Sequence, residues 1–317
     1  MVSLNQAVRA YAAGHANGDG LALTPVPGLR MMCVETPRGD LHSVYRPLVC
    51  LILQGAKRMT VGTEDRVFSA GQSVIVTADM PVVGRVVQAS PDAPYLAVAV
   101  ELEMTILREV AVQLGELRAQ QSSETRTLFA EDTGAAALDC ASRLMRLVDR
   151  PEAIPLLRPG IMRELHYWLL SGQHGMALRS LTAPDSSVSR LAAAIAILRQ
   201  DYRSRIPVER LAAAAAMSST AFHKHFKHMT SLSPGQYQKR LRLIEARRLM
   251  LDEGLSASSA AFEVGYESIS QFTREYARLF NAPPKRDVLR VRSKPSTVGN
   301  GAQEDKSAES ISFVGSA

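Results

Sequence analysis

"AFEVGYESISQFTREYARLF", residues Ala261 to Phe280, joins a small-residue segment, a Gly-Tyr break and a run rich in Ser, Gln, Thr and Arg. Phe272 and Tyr276 stand four residues apart, so on a helix they mark one face. The opposite face collects Ser270, Gln271, Thr273, Arg274 and Arg278. Ser and Thr are indifferent helix formers, so their gathering on one face asks for a reason beyond solvation. Ser268 sits where a side-chain oxygen can cap the run.

The same pattern occurs fifty residues earlier, in "LAAAAAMSSTAFHKHFKHMTSLSP" from Leu211 to Pro234. At that offset Ser218 falls on Ser268, Phe222 on Phe272, Lys224 on Arg274, Phe226 on Tyr276, Met229 on Leu279 and Pro234 on Pro284; Ala215 falls on Gly265. Each copy therefore predicts a short helix of small residues, a tight turn, a capping serine and a second helix with aromatic anchors. That is a helix-turn-helix, whose second helix can enter a DNA major groove. Thr220, His223, Lys224 and Lys227 line the exposed face of the first copy.

Charge supports a polyanionic partner. The chain of 317 residues has a formal net charge of +6, unevenly spread. Residues 186–292 carry 18 Lys/Arg against 9 Asp/Glu, whereas residues 1–185 carry 17 against 19. A basic segment of about a hundred residues is the electrostatic footprint of nucleic-acid binding. The length suits two domains with separate cores. No apolar run reaches the roughly 18–20 residues of a membrane span, and the three scattered cysteines fit a reducing compartment. A cytoplasmic protein that does not engage membranes is expected.

The first half has another texture. Between Thr24 and Leu102, runs such as "PLVCLILQG", "QSVIVTADMP" and "YLAVAVEL" alternate with Gly, Pro and Asp punctuation, the signature of an antiparallel β unit. Residues 103–181 turn helical; Leu138, Ala141, Met145 and Val148 leave one apolar face. "TAPDSSVS", residues 182–189, reads as a linker, and residues 293–317 lack periodicity and read as a disordered tail.

The segments "LSPGQYQKRLRLIEARRLMLDEG", "AAFEVGYESISQFTREYARLFNAPP" and "KRDVLRVR" resemble the AraC/XylS family of bacterial transcription regulators over residues 190–292. "YRPLVCLILQGAKRMTVG", "ADMPV" and "PYLAVAVEL" resemble, more loosely, the N-terminal domain of one branch of that family. The resemblance implies an α+β multidomain protein. It has a cupin-like β-barrel (24–102) with helices (103–181) forming an effector and dimerisation domain (1–181), and a seven-helix DNA-binding domain (190–292). Residues 234–251 would form the helix joining the two helix-turn-helix units.

By that resemblance Thr220, His223 and Lys224 in the first unit, and Ser270, Gln271, Thr273 and Arg274 in the second, are the base-reading candidates. Ser218, Lys227, Lys239, Arg240, Ser268 and Arg278 are the backbone-contacting ones. Asn281 stands where the family has Gly, and Ile269 where Pro or a polar residue is common; Ile269 could touch a thymine methyl. The implied partners are double-stranded promoter DNA, a small effector, RNA polymerase and a second copy of the chain, joined through a helix such as 134–149. An activator is expected, not an enzyme.

Other readings weigh less. His223 and His225 point about 200° apart on a helix, so "HKHFKH" does not converge on a metal, and the β segment lacks a His-x-His pair; no metal or cofactor is expected. Tyr45, Cys50 and Arg85 are the guesses for the effector pocket. Cys50 is a candidate electrophile- or redox-sensing thiol if its pKa is lowered. A nonspecific architectural DNA binder would leave the sensory-looking half unexplained.

Overall fold

A computed structural model of the chain describes residues 3–37, 39–61, 64–115, 127–182 and 187–292. The first helix, α1 (Leu4–His15), starts in a capping box: the Ser3 hydroxyl accepts from the Gln6 amide, and the Gln6 side chain accepts from the Ser3 amide. Ten strands among the described residues then supply two antiparallel sheets. They are β1 (Leu21–Leu23), β2 (Leu29–Val34), β3 (Leu41–Tyr45), β4 (Leu48–Gln54), β5 (Ala56–Val61), β6 (Glu64–Ser69), β7 (Gln72–Val76), β8 (Met80–Gln88), β9 (Tyr95–Glu101) and β10 (Leu128–Asp132). One sheet has the order β1-β2-β9-β4-β7-β10, the other β3-β8-β5-β6. The sheets face each other as a cupin-like sandwich and, among the described residues, do not close into a barrel.

The six-stranded sheet is buried on both faces. Met59, Phe68, Val76, Val82 and Tyr95 fill the space between the sheets. Val49, Ile75, Val98 and Val100 pack outward against Leu144, Leu165 and Leu169. Those three belong to α3 (Ala135–Arg146) and α4 (Ile154–Ser171), which with α2 (Met104–Gln113) and α5 (Gly175–Thr182) cover that face. Burial on both sides explains why β4 and β9 are continuous apolar runs and not alternating ones.

Two expectations change here. Strands extend beyond 24–102, because β1 begins at Leu21 and β10 lies inside the span read as helical. The five residues of β10 are too short for a helical period to be excluded from sequence; pairing with the edge of β7 decides their state. The apolar face of α3 is spent inside its own domain, with Ala141 fully buried and Met145 and Val148 each 7% exposed.

The described residues of the second half form seven helices: α6 (Ser187–Gln200), α7 (Val208–Ala214), α8 (Ser219–Thr230), α9 (Pro234–Asp252), α10 (Ala257–Glu263), α11 (Ile269–Phe280) and α12 (Pro284–Arg292). Their core holds Phe222, Phe226, Tyr237, Phe272 and Tyr276, all fully buried. Helix α9 opens with a capping box between Ser233 and Gln236 and with Pro234 in its first turn. Its 19 residues make a rod of about 28 Å. Of the segments expected to be linker and tail, residues 183–186 and 293–317 lie outside the described residues. Among the described residues no helix is long and apolar enough to cross a membrane.

The two halves meet along α9, which rests on β3 and β8. Arg199 of α6 pairs with Asp79 at 2.6 Å, the Tyr237 hydroxyl donates to the Asp79 carbonyl at 3.2 Å, and the Thr127 hydroxyl donates to the Met229 carbonyl at 3.2 Å.

Candidate nucleic-acid interface and effector cavity

Helices α8 and α11 are built alike. Ser218 and Ser268 are their N-caps, each hydroxyl accepting the amide three residues on, Ala221 and Gln271, at 3.3 Å. Phe222 and Phe226 in one, and Phe272 and Tyr276 in the other, turn each helix's inner face into the core. Both helices end in a left-handed residue, Ser231 (φ 58°) and Asn281 (φ 55°), followed by a helix beginning at Pro234 or Pro284. Asn281 therefore takes the left-handed cap position that Gly most often fills.

The offset of fifty holds for α8 and α11 but not for the helices before them. Helices α7 and α10 correspond at an offset of 49: Leu211, Ala212 and Ala215 are buried as Ala260, Ala261 and Val264 are. The left-handed residue of each turn is Ala216 (φ 49°) and Gly265 (φ 84°), so Gly265 corresponds to Ala216 and not to Ala215. The second turn holds one extra residue before its capping serine. Gly265 is obligatory on a second ground, because a Cβ there would overlap the Arg203 carbonyl. Arg242 of α9 braces the same place, donating to the carbonyls of Tyr202 (2.6 Å), Gly265 (2.8 Å), Arg203 (3.0 Å) and Ser204 (3.1 Å). Arg242 escaped the reading by motif, since a single Arg on a basic helix gives no sign of facing inward.

The outward faces carry the candidate readers. Thr220, His223, Lys224, Lys227, Ser270, Gln271, Arg274 and Arg278 are exposed. The last residue of the set, Thr273, is half-buried, and its hydroxyl donates to the Ile269 carbonyl at 2.8 Å. Gln271 donates to Glu275 at 3.3 Å, and Ser270 shares a 3.0 Å hydroxyl contact with Ser268. Ile269 is exposed beside them. Arg274 forms no hydrogen bond or ion pair among the described residues and is exposed, so its guanidinium is free to engage a partner. The α9 candidates lie elsewhere. Lys239 is tied to Glu275 at 2.8 Å, and Arg240 is half-buried toward His42 of β3. Burial, with Arg240 and Arg247 nearby, pushes that imidazole down to about 4, so it is neutral at pH 7.

Between the sheets lies a cavity of about 130 Å³, lined among others by Asn17, Asp19, Arg30, Tyr45, Cys50 and Lys57. A cavity near 150 Å³ takes one benzene ring. Of the three pocket candidates, Tyr45 and Cys50 line this cavity, whereas Arg85 is exposed and paired with Asp40 at 2.8 Å. Burial pushes the Cys50 thiol up, away from the thiolate a reactive sensor needs.

Lys57 is the feature that the sequence reading missed. It points inward from β5 between Ala56 and Met59 and is 6% exposed. Its ammonium donates to the Tyr45 hydroxyl at 3.0 Å and approaches the Met32 sulfur at 3.6 Å. Arg30 is neutralised by Glu101, whereas Lys57 has no carboxylate partner among the described residues. Gly84 on β8 makes room for it, since a Cβ at that position would overlap the Lys57 Cε. The signal was present in "QGAKRMTVG", where Lys57 has the inward parity of Met59 and Val61. Among the described residues no cluster of three or more His, Cys, Asp or Glu could hold a metal ion.

Known proteins share both halves. Residues 25–177 match the family described as the AraC-type transcriptional regulator N-terminus, and residues 211–288 match a helix-turn-helix domain family. The HTH-type transcriptional activator RhaS of Escherichia coli (strain SE11) is 30% identical over 108 residues, which covers 34% of this chain and 38% of that protein. The chain thus spans little more than a third of the length of the curated relatives it matches. In fold it is similar to ToxT from Vibrio cholerae strain SCE256, a structure with a bound unsaturated fatty acid (TM-score 0.56, 10% identity, 82% of this chain and 94% of that one). It is likewise similar to ToxT from Vibrio cholerae O395 bound to (E)-4-(8-methylnaphthalen-1-yl)but-3-enoic acid (TM-score 0.54, 11% identity, 83% and 98%).

Proposed function

The chain belongs to the AraC/XylS family of transcription regulators, and from that premise we propose that it is a sequence-specific, effector-controlled activator of transcription. The observation that carries this reading is the pair of matched reading helices. Each is capped by serine, anchored by buried aromatics and faced with short polar and cationic side chains. Placed in successive major grooves on one face of DNA, α8 and α11 would read sites about 34 Å apart. Arg274 and Lys224 are suited to guanine edges and Gln271 to adenine, while Lys227 and Arg278 are suited to phosphates.

The effector domain takes a small organic acid. A buried ammonium without a counter-charge is costly, and a carboxylate beside Lys57 and Tyr45 would supply one. The ring-sized apolar remainder of the cavity takes the rest of the molecule. Both ToxT ligands named above are acids, which agrees with this chemistry. The active species is a homodimer. Because the apolar face of α3 is buried, pairing would use its outer surface and the neighbouring start of α4, where Leu156 is 79% and Leu157 55% exposed. Sedimentation showing only monomer at micromolar concentration would contradict this.

Footprinting on genomic fragments, followed by transcription with RNA polymerase from the protected promoter, tests the function. Discrete protection and a rise in transcript are expected. Uniform coverage of all fragments would make the protein an architectural DNA binder instead, and a fall in transcript would make it a repressor.

A further inference from the structure

Among the described residues, the cavity lining forms an ion pair with the DNA-binding half on the side of its second unit. Asp19, which lines the cavity, sits in a tight turn that the Asn17 side chain closes by accepting the amides of Asp19 and Leu21 at 3.0 Å each. Its carboxylate meets Arg247 of α9 at 3.3 Å. The same guanidinium donates through Nε to Asp287 at 2.8 Å. Asp287, fully buried on α12, also accepts from the Tyr276 hydroxyl at 2.9 Å, and Tyr276 belongs to the second reading helix. Arg247 further lies over the Phe280 ring, 5.5 Å from its centroid. Phe280 in turn meets the edge of His42 on β3, whose neighbours Leu41, Ser43, Val44 and Tyr45 line the cavity.

The first unit is held otherwise. Among the described residues, its polar contacts with the effector domain include Asp79 with Arg199 and Tyr237, and Thr127 with Met229. Neither Asp79 nor Thr127 lines the cavity.

We propose that Arg247 is the positioning residue through which the effector cavity acts on the second reading helix, α11, while the first, α8, keeps its placement. Arg suits the role because its planar fork can hold two carboxylates in different directions, Asp19 and Asp287, where lysine offers a single point charge. A ligand that displaces the Asn17–Asp19 turn shifts one arm of that fork. The strain passes to Asp287 and Tyr276, so the effector adjusts how one half of the site is read relative to the other.

This inference rests on the DNA-reading role proposed above, and two measurements keep them apart. Amide hydrogen exchange on the full chain without DNA compares the wild type with Asp19→Asn and Asp79→Asn. Asp19→Asn is expected to raise exchange across residues 269–280 by roughly fivefold and to leave 219–230 unchanged. Asp79→Asn, which opens the interface elsewhere, is expected to leave 269–280 unchanged. No change in 269–280 with Asp19→Asn, equal change in both reading helices, or the same change with Asp79→Asn overturns the proposal. Binding to DNA selected from a random pool is measured separately. A chain that shows the expected exchange pattern but binds no discrete site keeps the coupling and loses the DNA reading.

Discussion

At the scale of single residues, Lys57 illustrates how a strand can carry a charge into an apolar interior. Its neighbours on the same face, Met59 and Val61, are buried, and Gly84, paired with Met59 on β8, leaves space for the four-carbon stem. An Arg30 already paired to Glu101 cannot fill the same role, because its charge is spent. The acid-binding reading therefore stands on one ammonium. Benzoate, a ring-sized carboxylate, is expected to raise the melting temperature of the wild type where benzyl alcohol does not. Lys57→Met should cost benzoate binding about 1.5–3 kcal/mol, the worth of a hydrogen bond to a charged group. Equal stabilisation of both proteins by benzoate would remove Lys57 from the site.

At the scale of elements, the two helix-turn-helix units solve one geometry with different turns. Both need a left-handed residue after the first helix, and they fill it with Ala216 and Gly265. Glycine adopts that conformation without a steric cost, whereas alanine bears about 1 kcal/mol. Ala216→Gly is thus expected to stabilise the domain by up to about 1 kcal/mol in urea denaturation. Gly265→Ala is expected to destabilise it by more than that, since the added methyl also meets the Arg203 carbonyl. A neutral Gly265→Ala would mean that the second turn is not held as described.

Helices α8 and α11 are legible in the sequence because capping serine, aromatic pair and trailing proline recur at one spacing, which local physics alone requires. The turn between helices was misaligned by one residue, since a backbone angle leaves no trace in a row of five alanines (Ala212 to Ala216). Strand β10 and the inward course of Lys57 and Arg242 were hidden for a related reason. What settles each is a partner distant in the chain: β7 for the strand, Gly84 for the lysine, and the Arg203 and Gly265 carbonyls for the arginine.

At the scale of the whole molecule, a mildly acidic half with a cavity between its sheets is docked on a basic half with two helix-turn-helix units. The docking surface runs along α9, the helix that also spaces the two reading helices. Distance between readers and contact with the effector domain are therefore properties of one element, and a change in docking is felt where the spacing is set. The central claim is that two helices at fixed separation each read DNA. Selection of bound sequences from a random pool, run with the wild type and with Arg274→Ala, tests it most directly. The account predicts two conserved elements centred about 10–10.5 base pairs apart. Arg274→Ala should lose about 1–3 kcal/mol and relax preference in one element only. A single conserved element, or an equal loss by Arg274→Ala on every sequence, would contradict it.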